Sequence, residues 1–157
     1  MTIGSEAVIV SIHVSETKGA PLLPLSRAEL LAGQGIVGDK RCMATAKAKN
    51  QVTLIEEEAL QAATLATQVA VKGFTLEPGL SRRNIVTRGV ALNHLVGRRF
   101  VVGGALLQGI ELCEPCGHLA RCTHKSFRQA LVHRGGLRAE VLRSGACAVG
   151  DAVRPES

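Results

Sequence analysis

The chain has no tryptophan and no tyrosine, and its aromatic content is three phenylalanines. That scarcity removes the stacking platforms on which single-stranded nucleic acids are held, and no basic recognition helix stands out, so nucleic acid is not expected as a partner. Apolar runs of membrane-spanning length are also absent. The first residues, Met1 to Glu6, lack a basic leader, and the apolar run that follows is broken by Ser11 and His13. The expectation is a cytoplasmic protein with no membrane contact. Five cysteines (Cys42, Cys113, Cys116, Cys122, Cys147) are an odd, unevenly spaced set. A disulfide scaffold is therefore not expected, and reduced thiols are the default. Repeats, linkers and low-complexity tracts are missing too. A chain of 157 residues, 46% hydrophobic and 20% charged, fits one domain with its core over residues 8–154.

What the sequence does have is positive charge, unevenly spread. The formal net charge is +6, and from Arg82 to Arg143 eleven Lys and Arg face three acids, Glu111, Glu114 and Glu140. Four of the five histidines fall in the same stretch. The C-terminal half is thus the half that attracts anions, and with stacking residues missing, a small phosphorylated ligand fits better than a polymer.

Hydrophobic alternation at Val8, Val10, Ile12 and Val14 predicts a first strand, with Ser11 and His13 on its solvent face. Residues 18–34 hold Pro21, Pro24 and a Ser26-Arg27-Ala28-Glu29 pattern. They read as a long loop with one or two capped helical turns. Gly33, Gly35 and Gly38 lead into a turn at Asp39-Lys40-Arg41. Gln51–Ile55 reads as a strand. Glu56-Glu57-Glu58 then opens an Ala/Leu-rich helix to about Thr67, with the acids where the helix dipole favours them. Short strands follow at Asn84–Thr87, Arg98–Val102, Ala105–Leu112, Leu137–Arg143 and Ala152–Arg154, with a second helix over Ser126–His133. Many short strands between glycine turns predict a mainly β fold, a closed or nearly closed barrel with a few peripheral helices, because a parallel α/β fold needs a helix between most strands.

The most informative segment is Leu112-Cys113-Glu114-Pro115-Cys116-Gly117-His118. Pro115 has no N–H and a fixed φ, so the strand ladder must stop there, which puts Cys116 at a strand end. A thiol in basic surroundings is favoured as thiolate, both a nucleophile and a soft metal ligand. Cys113 is either a resolving thiol for Cys116 or a small apolar residue that ends the strand. Cys42 and Cys147 read as packing residues. Arg98 and Arg99 read as exposed charge on a hairpin.

Taken in order, several segments resemble the MOSC domain, found at the C-terminus of molybdenum-cofactor sulfurases and as free-standing bacterial proteins. Gly33-Gln34-Gly35-Ile36-Val37-Gly38-Asp39 is similar to the family's early glycine-rich turn, and Arg82-Arg83-Asn84-Ile85-Val86 to its Arg-x-Asn segment. Leu95 to Gly103 resembles its Leu-x-x-Gly strand pair, and Pro115-Cys116 occupies the place of its signature cysteine. Gly136 to Val141 and Val149 to Val153 resemble its closing strands.

The resemblance implies a β-barrel that binds molybdenum cofactor (molybdopterin), resident or in passage, or a sulfur group destined for it. It makes Cys116 the residue that carries persulfide sulfur or ligates molybdenum. The cofactor's phosphate gives Arg82, Arg83, Arg88 and Arg121 a role as anion clamps, with Asn84 either bonding the pterin or bracing the turn that presents it. Arg82 and Arg83, rather than Lys47 or Lys49, are expected on the rim. One departure is Lys40, where the family pattern has arginine after Gly38-Asp39. The chain is also too short to contain a pyridoxal-phosphate desulfurase domain, so a separate sulfur donor or redox partner protein is implied. If the protein is an enzyme, it is a sulfur transferase or a molybdenum-dependent reductase of N-hydroxylated compounds.

Two other readings stand beside this one. Cys113, Cys116, His118, Cys122 and His124 lie close enough for a zinc module, although only Cys113 and Cys116 have a common zinc spacing. A thiol–disulfide oxidoreductase built on Cys113 and Cys116 lacks the βαβ setting expected around such a pair.

Overall fold

A computed structural model of the chain describes residues 6–76, 79, 81–115 and 124–156. Its strands are β1 (Val8–Val14), β2 (Leu23–Leu25), β3 (Arg27–Leu31), β4 (Gly35–Ile36), β5 (Val52–Glu56), β6 (Ile85–Arg88), β7 (Arg99–Val102), β8 (Ala105–Leu112), β9 (Leu137–Arg143), β10 (Gly145–Ala148) and β11 (Val153–Pro155). Two α-helices, α1 (Glu57–Ala70) and α2 (Lys125–Ala130), lie among the described residues, with short 3-10 turns at Ala48–Asn50 and Leu92–Leu95. None of the helices is long and apolar enough to cross a membrane.

The fold is mainly β, as expected. Eight strands form one sheet in the order β11-β7-β8-β9-β5-β6-β1-β2, and β10-β3-β4 form a second. The expected barrel closure is not present as a continuous ladder. β2 pairs with β1 and β11 with β7, and what joins β1 to the far end of the sheet is a single bridge, Val8 to Ala152. Three backbone bonds flank it, Ile9 N to Asp151 O, Gly150 N to Ile9 O and Val153 N to Ala7 O, each 2.9 Å. The sheet therefore curls round without closing. Gly150, at φ +94°, keeps residues 149–151 in a turn, so β11 begins only at Val153, and Pro155 at its end has no N–H to extend the ladder.

β5 and β6 run parallel, joined through α1, and both are covered on two faces. Alternation sends Leu54 and Ile85 into the main core with Ile12, Phe100, Leu107 and Leu137, while Ile55 and Val86 join Ala59, Ala63, Phe127 and Leu131 beneath the helices. Small residues at Ala59, Ala63 and Thr67 form the buried stripe of α1 and let it lie close to the sheet. Its first turn carries Glu57 and Glu58; Glu57 lies 3.5 Å from Arg88, and Glu58 accepts from Gly89 N at 2.9 Å.

Two expectations fail in the N-terminal quarter. The 18–34 segment carries strands β2 and β3 instead of helical turns, because Arg27–Leu31 alternates exposed and buried residues and pairs along its length with Gly145–Ala148. Pairing with a distant strand overrides the local capping pattern. His13 is not on a solvent face: it is 3% exposed, covered by the stretch holding Leu22 and Gly79, where a side chain on Gly79 would sit 3.5 Å from His13 Nδ1.

Candidate functional site

Five strand ends meet at one edge of the large sheet. Register places Leu112 of β8 opposite Leu137 of β9, Thr53 of β5 opposite Arg138, Leu54 opposite Ile85 of β6, and Ile85 opposite Ile12 of β1. The residues just beyond or beside these pairs, Cys113, Arg138, Thr53, Asn84 and Ser15, follow one another in strand order. All five line a cleft of about 960 Å³.

The cleft is strongly cationic. Lys18, Lys40, Arg41, Lys47, Arg82, Arg83 and Arg138 line it against two carboxylates, Asp39 and Glu114. Both acids are committed elsewhere. Asp39, 7% exposed, accepts from Ser15 N at 3.0 Å, Arg41 N at 3.1 Å and Asn84 Nδ2 at 3.4 Å. Glu114 accepts from His133 N at 2.7 Å and lies 2.9 Å from His133 Nδ1. Burial pushes the Lys40 ammonium below the ordinary lysine range, and repulsion from Arg41, Arg82 and Lys18 pushes it the same way against the opposing pull of Asp39. Crowded cations of this kind are relieved by a bound anion.

Asn84, 5% exposed, is the keystone of the floor. Its Oδ1 accepts from Thr53 N and Thr53 Oγ1, both at 3.1 Å, and its Nδ2 donates to His13 O at 3.0 Å and to Asp39 Oδ1 at 3.4 Å. A side-chain amide offers two acceptor and two donor positions, and all four are used here. Of the two roles open to Asn84 in the sequence, this geometry is that of the brace.

Arg83 is likewise engaged with the backbone. At 7% exposure it donates from Nε to Gly135 O at 2.7 Å, from Nη2 to Cys113 O at 3.2 Å and from Nη1 to Ser81 O at 3.3 Å. Its neighbour Arg82 holds a left-handed backbone, φ +62°, and donates from Nη1 to Ala20 O at 3.0 Å. The opposite backbone hand of two successive residues turns one arginine to the β8 end of the cleft and the other to the loop after β1.

Arg82, Arg83 and Asn84 are thus brought together, whereas Arg88 is exposed, lies 3.5 Å from Glu57 and does not line the cleft. Lys47, set aside in favour of Arg82 and Arg83, does line it; Lys49 does not. Cys116 and Arg121 lie outside the described residues, as do His118 and Cys122 of the zinc reading. Cys113 is buried and lines the cleft. Among the described residues no cluster of three potential metal ligands occurs. Cys147 packs as expected: burial, with the charges of Asp151 and Glu29, pushes its thiol up to about 11. Lys18 and Arg138 are not singled out in the sequence, Lys47 is set aside there, and Arg41 enters only as part of the turn after Gly38. Arg138 alone had a local signal there, since it alternates with the core residues Leu137 and Ala139.

A family model described as the MOSC domain matches residues 36–154. Among solved structures, the crystal structure of the YUAD protein from Bacillus subtilis is similar over 98% of this chain and 97% of that one, at 20% identity and a TM-score of 0.78. YiiM from Geobacillus stearothermophilus is similar over 96% of this chain and 75% of that one, at 18% identity and a TM-score of 0.73. YiiM from Escherichia coli gives 96% and 70%, at 17% identity and a TM-score of 0.67. At such identities the likeness is one of fold. No curated protein matches the chain.

Proposed function

The chain belongs to the MOSC domain family, a family associated with molybdenum-cofactor sulfurases, and on that premise we propose that its cleft binds the phosphorylated pterin of molybdenum cofactor with Cys116 as the working thiol. The observation that carries the proposal is the cationic cleft along the strand ends, in which seven basic side chains face two carboxylates already engaged elsewhere.

The residues present suit such a ligand. Lys18, Lys40, Arg41 and Arg82 would hold the phosphate, since guanidinium and ammonium groups make charge-assisted bonds to its oxygens. Asn84 and Thr53 form the floor beneath it, and Arg83 fixes the strand end that leads through Pro115 to Cys116. When bound, the cofactor supplies a metal centre with sulfur ligands, for which a thiolate is a matched soft donor. In sulfur transfer, the Cys116 thiolate attacks the outer sulfur of a donor persulfide. The donor S–S bond breaks, the donor leaves as thiolate, and Cys116 carries the sulfur without net oxidation. A direct use of the cofactor, in reducing N-hydroxylated compounds with a separate redox partner, needs the same thiol as metal ligand.

The test is to purify the chain from a host that makes molybdenum cofactor and to measure metal content and pterin fluorescence after release. Persulfide mass spectrometry follows on the wild type and on Cys116→Ser. Stoichiometric pterin, with sulfur or molybdenum retention lost in Cys116→Ser, is the expected result. A wild-type protein that takes up no pterin from cofactor-replete extract, or undiminished sulfur and molybdenum loading in Cys116→Ser, overturns the proposal.

A further inference from the structure

Arg138 lies at the other end of the cleft from the proposed phosphate site. It stands on β9 between β8, where Glu111 faces it, and β5, where Thr53 faces it. It is thus one strand from the end that bears Cys113. Its Nη1 donates to Lys49 O at 3.3 Å, which ties the 47–50 segment to β9, and Lys47 and Asn50 line the cleft beside it. The Arg138 ion pair with Glu111 is long, 3.7 Å, and Glu111 is half exposed. Such pairs neutralise little and contribute about 0–1 kcal/mol. Lys47 has no ion pair among the described residues.

The first basic group is gathered at the β6 and β1 end of the same sheet edge, two to three strands from β9. Neighbouring strands run about 4.8 Å apart, so the backbones that carry the two groups are separated by roughly 10–14 Å. The guanidinium of Arg138 is turned to Lys49 O and to Glu111 on β8, on the side away from β6 and β1, so a phosphate held by the first group does not engage it. The neutral floor of Thr53 and Asn84 lies between them, and the cleft carboxylates, Asp39 and Glu114, are held by backbone amides, Asn84 and His133. The charge of Lys47 and Arg138 is therefore answered neither by the cleft's own acids nor by a cofactor phosphate at the far end.

The geometry points to a second anion subsite, formed by Lys47, Asn50 and Arg138 next to the Cys113 strand end, which receives an oxyanion carried by the substrate. The molecule that reacts in this cleft is thus itself a carboxylate or a phosphate ester. This inference rests on the proposed reading of the first basic group as the cofactor phosphate site.

Calorimetric titration of the full chain with inorganic phosphate at low salt tests it. Two binding events per chain are expected. Lys47→Gln with Arg138→Gln should weaken one of them about ten-fold or more and leave the other in place; Lys40→Gln with Arg82→Gln should do the reverse. Lys47→Gln alone, at an exposed side chain, provides the same test in a variant that does not disturb the sheet. Arg138→Lys should recover part of the loss. A single event that is abolished by the Lys40 and Arg82 pair and indifferent to the Lys47 and Arg138 pair overturns the second subsite while leaving the cofactor reading intact. A single event lost in both pairs also overturns it, by making the cleft one shared site. Phosphate binding unaffected by either pair overturns both readings.

Discussion

Arg83 Nη2 and the carbonyl of Cys113 meet at 3.2 Å, which fastens the segment before β6 to the exit of β8 through a single guanidinium. The same side chain holds Gly135 O at 2.7 Å, and Gly135 lies so close to this exit that a side chain there would strike Cys113 O and come within 2.9 Å of Pro115 Cδ. Pro115 thus leaves the sheet from a clamped position. Glu114, between Cys113 and Pro115, is secured separately through His133.

Arg83→Lys should cost about 2–4 kcal/mol of stability, because an ammonium cannot serve three carbonyls spread around a planar fork and buried acceptors are left unpaired. Gly135→Ala should cost about 1–3 kcal/mol by overpacking. Chemical denaturation measures both. If Arg83→Lys unfolds at the wild-type midpoint, the guanidinium is not a brace.

Asn84→Asp replaces the amide donor with a second carboxylate about where Nδ2 now lies 3.4 Å from Asp39 Oδ1. The bond to His13 O is lost and like charges are brought together. The variant should be destabilised by about 3 kcal/mol or more near neutral pH and should recover part of that loss on mild acidification, as one carboxylate takes a proton. A thermal melt series between pH 7.5 and 5 checks this; a stability identical to wild type would remove Asn84 from the keystone role.

His13 links stability to pH. Burial lowers its pKa below the ordinary 6.5, and its Nδ1 has no hydrogen-bond partner among the described residues. The unfolded chain therefore binds more protons than the folded one between the lowered value and 6.5. This contribution to stability is fully present above 6.5 and is lost as the pH falls through that window. His13→Gln should flatten the fall in Tm between pH 7 and 5, and an unchanged slope would assign the dependence to other groups.

The proposed anion binding should carry its own pH dependence through Lys40. Its ammonium is depressed by burial and by Arg41, Arg82 and Lys18, so the charge is lost earlier than in an ordinary lysine as the pH rises. Phosphate affinity should decline toward alkaline pH, whereas Lys40→Arg, whose charge persists, should hold it steady. Titrations at pH 7 and 9.5 distinguish the two, and an equal decline in both proteins would place the titrating group elsewhere.

The strands were largely legible because their signals are local. Val8–Val14, Ala105–Leu112 and Leu137–Arg143 form strands with the expected bounds, but burial alternates cleanly only in Leu137–Arg143, and in Val8–Val14 a register shift between Ile9 and Ser11 buries Ile9 and His13 against the expected pattern. The helix opened by the glutamates runs to Ala70, and its end is marked by Gly73, at φ +80°. β3 and β10 were not legible, since β10 becomes a strand only by pairing with β3, and β3 only between β10 and β4. The cleft was half legible. Arg82, Arg83 and Asn84 stand together in sequence and in space, but Lys18, Lys47 and Arg138 reach the cleft from three separate segments, and no local pattern encodes that meeting. Nor could the chain reveal that Arg83 is occupied by carbonyls and that Arg88 faces α1, because both depend on which way a strand end turns.

Thr53, on which the floor of the cleft rests, acquires its β9 neighbour only from the far end of the chain. During synthesis β5 and α1 emerge early, and β6 can join them, but the β9 side of β5 stays an uncovered edge of buried-type residues until Leu137–Arg143 has been made. An uncovered apolar edge is an invitation to mispair. The same delay means that the clamp on the β8 exit and the place of Arg138 are completed only once residues 135–138 have been made, so the cleft belongs to the late-assembled part of the fold.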